Sequence, residues 1–218
     1  MATVPMKSEY GPTLGRLLAP RWRAASRVTR AAVSLAGVAL LAMVVGLALT
    51  LQNARYSQEG AIPFSFEYRG LYRVPADPGA FVKVDARSAD GALKYSYEVY
   101  PVKLPPYPAS SLWGELPVWS SSYIAALSRS TRDFALIGAG KTKITNTLLG
   151  YRVLFTTEVE GRKMYASNVV LLPERPGARE GAVIAMLTAV GASSQVKGPS
   201  EVASTGVLLR PLKTFTFG

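Results

Sequence analysis

Residues 31 to 51, AAVSLAGVALLAMVVGLALTL, run 21 positions without a charge, a proline or an amide. At about 1.5 Å per residue, a helix of that length reaches about 30 Å, the thickness of a bilayer's hydrocarbon core. A surface helix of a soluble domain keeps a polar face, and this run has none. The sequence therefore predicts a single transmembrane helix over 31–51. It divides the chain into a basic tail, 1–30, a linker, 52–61, and a domain, 62–218.

Charge sets the orientation. Of the formal +11, the tail holds +5, from Lys7, Arg16, Arg21, Arg23, Arg27 and Arg30 against Glu9. On the far side only Arg55 lies close to the run. Positive flanks stay on the cytoplasmic side, which makes the N-terminus cytoplasmic, the C-terminal domain extracytoplasmic and the cell membrane the expected location. The basic residues then call for membrane lipid as a partner rather than nucleic acid. The exit Thr50-Leu51-Gln52-Asn53-Ala54 puts Gln52 where signal cleavage needs a small residue, so a permanent anchor is expected. Ala42 and Gly46 form a small-xxx-small pair through which another helix can approach.

The chain has no cysteine and no histidine. That removes disulfides, a lipidated cysteine, a thiolate nucleophile and the usual zinc ligands. Asp77, Asp85 and Asp90 do not repeat at calcium-loop spacing. No cofactor or metal is implied.

Beyond the linker the sequence changes period. Phe64, Phe66, Tyr68, Tyr72 and Val74 share one parity and predict one strand with a buried face. Residues 80–87 and 92–102 flank Ser88-Ala89-Asp90-Gly91, a hairpin signal; Tyr95, Tyr97 and Val99 form the apolar face and Lys94, Ser96 and Glu98 the wet one. Five prolines within 101–117 predict a loop, in which Tyr107 and Trp113 are candidate partner contacts or simply pins onto the core. Trp119, Tyr123, Ile124 and Leu127 predict an amphipathic helix over 119–133, capped by Ser120 or Ser121. Alternation predicts strands over 151–159 and 163–172 about Glu160-Gly161-Arg162. The apolar run 182–190 predicts a strand covered on both faces, and Pro199 a closing helix. Phe215 and Phe217 are expected to tuck back onto the domain.

Motifs that resemble catalytic chemistry fall short of it. Gly138-Ala139-Gly140-Lys141-Thr142 resembles the end of a phosphate loop, but Ala135 stands where the first glycine belongs and no helix follows. Ser194-Gln195-Val196-Lys197 has the serine-lysine spacing of penicillin-recognising enzymes without their other elements. Glu158 and Glu160 flank a turn beside Arg162 and Lys163, as a solvated ion-pair cluster would.

The order of elements, with Gly150-Tyr151-Arg152-Val153, the Glu160-Gly161-Arg162 turn and the terminal PLKTFTFG, resembles the PsbP-like α/β/α sandwich domain over about 62–218. The resemblance implies an α+β fold with an antiparallel sheet and a non-catalytic role, as in accessory subunits of membrane complexes and surface lipoproteins. It brings no site residue with it. The resulting expectation is a non-enzymatic, membrane-anchored extracytoplasmic protein serving as an accessory or assembly subunit of an envelope complex. A small-ligand sensor or carrier for lipid or glycan, and an envelope hydrolase using a Ser/Lys pair, are the alternatives.

Overall fold

The computed structural model describes residues 26–51, 53–108, 112–145, 148–175 and 177–218. The chain divides into two units, 1–50 and 51–218. In the first, helix α1 spans Arg27–Leu51, covering the predicted 31–51. Among the described residues no helix is long and apolar enough to cross a membrane. The side chains of 44–51, which complete the apolar run, lie outside that description.

The second unit is built on antiparallel sheets. Its elements are β1 (Ala54–Gln58), β2 (Phe64–Tyr68), β3 (Tyr72–Val74), β4 (Val82–Arg87), β5 (Leu93–Lys103), α2 (Leu112–Ser130), β6 (Ala135–Lys143), β7 (Leu149–Val159), β8 (Arg162–Leu171), β9 (Glu180–Ala189), α3 (Leu209–Lys213) and β10 (Thr216–Phe217). Seven strands form the main sheet in the order β3-β4-β5-β9-β8-β7-β6, and β1-β2-β10 form a small one. The main sheet is two meanders, β3-β4-β5 and β6-β7-β8-β9, joined side by side where β5 pairs with β9 from Tyr95↔Thr188 to Lys103↔Glu180. The connection from central β5 to edge strand β6 has to travel across β9, β8 and β7. Helix α2 is that connection, and this is why it lies on the sheet.

Alternation then gives two cores. Under α2, Leu116, Val153, Phe155, Ala166, Val170 and Val183 are buried, with Trp119, Tyr123, Ile124 and Leu127 packed on them. On the opposite face Tyr97, Val99, Val169, Ile184 and Met186 meet Phe64 and Phe66 of the small sheet and Leu208, Leu212 and Phe215 near the C-terminus. The central strand predicted at 182–190 is thus β9, covered on both faces. Phe215 is fully buried, and β10 pairs with β2, Phe217 opposite Phe64.

Several expectations are corrected. The strand predicted over 64–74 is broken at Gly70, whose φ is +70°, into strands of different sheets; Leu71 is buried at the break and Tyr72 is 68 % exposed. Residues 54–58, assigned to a linker, form β1, because Tyr56 packs its ring on Phe64 and Phe66. The helix begins at Leu112 and carries Pro117 inside it. Proline removes only one intrahelical donor, so a proline count overstates the loop. Ser120 and Ser121 do not cap it; both hydroxyls donate to the Pro117 carbonyl, at 2.8 and 3.0 Å.

Ser96 and Glu98 are buried rather than wet. The closing helix is replaced by a 3-10 turn, Pro199–Glu201, and by α3, since Ala203 and Gly206 take φ of 60° and 72°. The layer opposite α2 is therefore a three-stranded sheet with short helical turns, and the fold is a mixed α/β arrangement rather than helices on both faces.

Candidate functional site

Where α2 crosses the sheet it leaves a groove of about 480 Å³ along the edge facing β5. This lies within the range of about 300–1,000 Å³ typical of small-molecule sites. One wall is the helix: Trp119, Tyr123 and Leu127, one turn apart, with the Trp119 and Tyr123 rings stacked at 5.0 Å and 14°. The floor is the sheet, with Tyr100 and Val102 from β5, Val183 and Ala185 from β9 and Asn168 from β8.

Strand register explains the floor. Asn168 pairs with Ala185, Ala185 with Glu98, and Glu98 with Lys83, so these four side chains form one row across β8, β9, β5 and β4. Ala185 is the small residue in the row, and its lack of bulk opens the groove. Asn168 is 4 % exposed. One end of its amide is bonded to the Tyr123 hydroxyl at 2.6 Å, while the other, Oδ1, has no hydrogen-bond partner. A buried polar atom without a partner costs about 1–3 kcal/mol, which marks this amide as the floor's candidate recognition point.

Polar residues continue from Ala185 over β5 and β4. Glu98 accepts the Asp77 backbone N–H at 2.9 Å and lies 3.7 Å from Lys83 Nζ, which also meets Asp77 at 2.9 Å. Burial raises the Glu98 pKa against the pull of the Asp77 N–H, the Tyr100 hydroxyl and Lys83. Burial, reinforced by the bond to Glu98, raises Tyr100. Tyr123 is pushed up to about 12, also by burial, although its bond to Asn168 acts the other way.

A raised carboxyl pKa means that the unfolded chain loses its proton first. The stability this gives is present below the ordinary value of about 4.3 and is lost as pH rises through the folded pKa. Glu98→Gln is therefore expected to gain stability relative to the parent at pH 8 but not at pH 4. Urea denaturation at the two pH values checks this; the same difference at both would show that Glu98 is not strained by its charge.

Tyr107, singled out in the sequence, does not line the groove. Tyr107 is partly buried against the α2 core, its hydroxyl donating to the Ala178 carbonyl, as a pin would. Trp113 lies in the first turn of α2 and Gly46 in α1, and the side chains at both positions are outside the described residues. Ala42 is exposed on α1. The glycine-lysine motif lies in β6, paired antiparallel with β7, so it forms no phosphate loop. Ser194 and Lys197 are exposed in an irregular turn, without the helical turn that their spacing needs. Glu160 pairs with Arg87 and Glu158 with Arg132, while Arg162 turns to Asp90. The ion-pair reading of the two glutamates stands, with partners other than those adjacent in sequence. Among the described residues no group of acids could hold a metal.

No known sequence family matches the chain, and neither does any curated protein. The PsbP-like resemblance thus has no family match behind it. Among solved structures, the fold is similar to that of LpqN, involved in cell envelope biogenesis of Mycobacterium tuberculosis. The TM-score is 0.50 at 7 % identity, over 76 % of this chain and 91 % of LpqN. A Pseudomonas aeruginosa protein of unknown function, PA94, matches at a TM-score of 0.30 and 14 % identity, over 63 % of this chain and 83 % of PA94; that score is too low to carry an argument. At 7 % identity the likeness to LpqN concerns the fold alone, an antiparallel, sheet-rich α+β domain.

Proposed function

We propose that this chain is a non-catalytic, membrane-anchored protein of the cell envelope, whose extracytoplasmic domain holds a small ligand in the groove beneath α2. The observation that carries the reading is the floor of that groove, where a buried amide with one unpartnered end lies among aromatic and aliphatic side chains. Apolar walls with a few placed polar groups are what small-molecule sites require. The anchor rests on the uncharged run 31–51 and its basic flank. Leu35, Val38, Leu40, Leu41 and Met43 of α1 are each at least 65 % exposed, and apolar surface of this kind calls for lipid or another helix to cover it.

The likeness in fold to an envelope-biogenesis protein agrees with an envelope setting, and the PsbP-like resemblance with a role free of catalysis. Native mass spectrometry of the chain, with the groove open and with it filled by Ala185→Trp, tests the binding. Digestion of the folded domain by protease added outside intact cells tests its placement.

A second reading, an accessory subunit that docks a partner protein, is favoured by β6. This edge strand leaves Leu136 and Ile137 exposed by 46 % and 59 %, and an open strand edge is a template for pairing with another chain. Recovery of a stoichiometric protein partner that is lost on Ile137→Pro would favour it.

A further inference from the structure

We propose that the groove takes a single-chain amphiphile with an uncharged, hydroxyl-bearing head. The head meets the free amide end of Asn168, and the chain lies along Leu127, Val102 and Val183. The inference rests on the ligand-binding reading above and names the class of ligand.

Three observations select the head. The Asn168–Tyr123 bond can run in either direction, because a tyrosine hydroxyl both donates and accepts. The free amide end therefore offers either a carbonyl or an NH₂, and a ligand hydroxyl can satisfy either one. For an anionic head, the cation among the described residues of the lining is Lys103 at the rim, 70 % exposed and shared with Glu180 at 3.0 Å, and a pairing in that setting contributes little. The carboxylate in the same row, Glu98, lies two strands along, about 10 Å away by strand spacing. A cationic head fares no better, since the Glu98 carboxylate is already engaged by the Asp77 N–H, the Tyr100 hydroxyl and Lys83.

The walls select the tail. Trp119 and Tyr123 stack on each other, so each ring spends one face internally instead of presenting a pair of open platforms to a flat sugar. Pro101, Val102, Leu127, Val183 and Ala185 give the rest of the lining an aliphatic majority beside Tyr100, Lys103 and Asn168. At about 480 Å³ the groove lies in the lower half of the usual range, with room for one chain rather than two.

The test uses the full chain kept soluble in amphipol and three probes with the same twelve-carbon chain: monolaurin, dodecanoate and dodecylamine. Each is titrated below its micellar concentration against intrinsic tryptophan fluorescence. Monolaurin is expected to bind at least tenfold more tightly than either charged probe. Asn168→Leu is expected to weaken monolaurin about tenfold, the loss of one buried hydrogen bond, and to leave dodecanoate unchanged. Ala185→Trp is expected to block all three.

Equal binding of the three probes by the parent chain overturns the assignment of the head and leaves the groove a ligand site. That comparison needs no variant, so it holds even if Asn168→Leu fails to fold. Tighter binding of a charged probe overturns it equally. No binding of any probe, together with a co-purified ligand that Ala185→Trp displaces, overturns the amphiphile while sparing the ligand-binding reading. If nothing binds and nothing co-purifies, both fall.

Discussion

Phe215→Ala is expected to destabilise the folded unit by about 3–5 kcal/mol, the usual cost of emptying a fully buried phenylalanine site. The Phe215 side chain is fully buried. Here its ring is stacked on Phe64 at 5.3 Å and meets Phe217 edge-on at 5.3 Å. The Gly218 N–H donates to the Pro63 carbonyl at 2.9 Å. The last residues thus join the small sheet to the core behind the main sheet. In a unit of this size each kcal/mol moves the melting temperature by about 2–4 °C, so a fall of roughly 10 °C or more is expected in thermal unfolding followed by circular dichroism. A change under about 2 °C would mean that the segment around Phe215 is not part of the core.

Gly181→Ala is expected to cost about 3 kcal/mol for a different reason. A Cβ built on Gly181 would overlap the Leu171 carbonyl oxygen and lie 2.9 Å from Leu172 Cδ2. On the other side of the same strand end, a Cβ on Gly150 would lie 2.5 Å from the Val170 carbonyl oxygen. The two glycines let β7 and β9 close onto the end of β8, where a side chain would force the backbones apart. Backbone atoms cannot rotate away as a side chain can, which puts the cost at the upper end of overpacking penalties. Denaturant midpoints for Gly181→Ala and for Gly91→Ala separate this from conformational strain. Gly91 has a φ of +83° and open space around it, so its substitution reports strain alone and is expected to cost about 1 kcal/mol. Equal losses in the two variants would count against close packing at Gly181.

Much of the main sheet was legible in the sequence. Alternation in 151–159 and 163–172, the Glu160-Gly161 turn and the apolar run at 182–190 report burial directly, and these segments became β7, β8 and β9 within a few residues. What failed was whatever depends on a distant neighbour. Tyr72 has the parity of a buried residue, but a turn at Gly70 sends it to another sheet. Ser96 and Glu98 look like a wet face, yet both are buried, Glu98 against the Asp77 N–H, Lys83 and Tyr100.

Proline-rich composition hid the first turns of α2, and β6 was hidden by two glycines and a lysine motif that resembles a loop. The groove was missed for a related reason, because its depth depends on Ala185 lying between two longer side chains of other strands. One signal was present: Asn168 is an amide in the apolar stretch SNVVLL, and a lone amide at an inward position of a strand needs a partner. Neither Tyr107 nor Trp113 carried that information, since an aromatic side chain beside prolines packs onto a core as readily as onto a ligand.

The most direct test of the groove is native mass spectrometry of the full chain isolated without detergent, compared with Ala185→Trp. The variant places an indole on the floor between Asn168 and Glu98 and leaves the walls intact. The parent chain is expected to carry a discrete small-molecule adduct that the folded variant lacks. An adduct of the same mass and occupancy on both proteins, or none on either, would contradict a ligand site beneath α2.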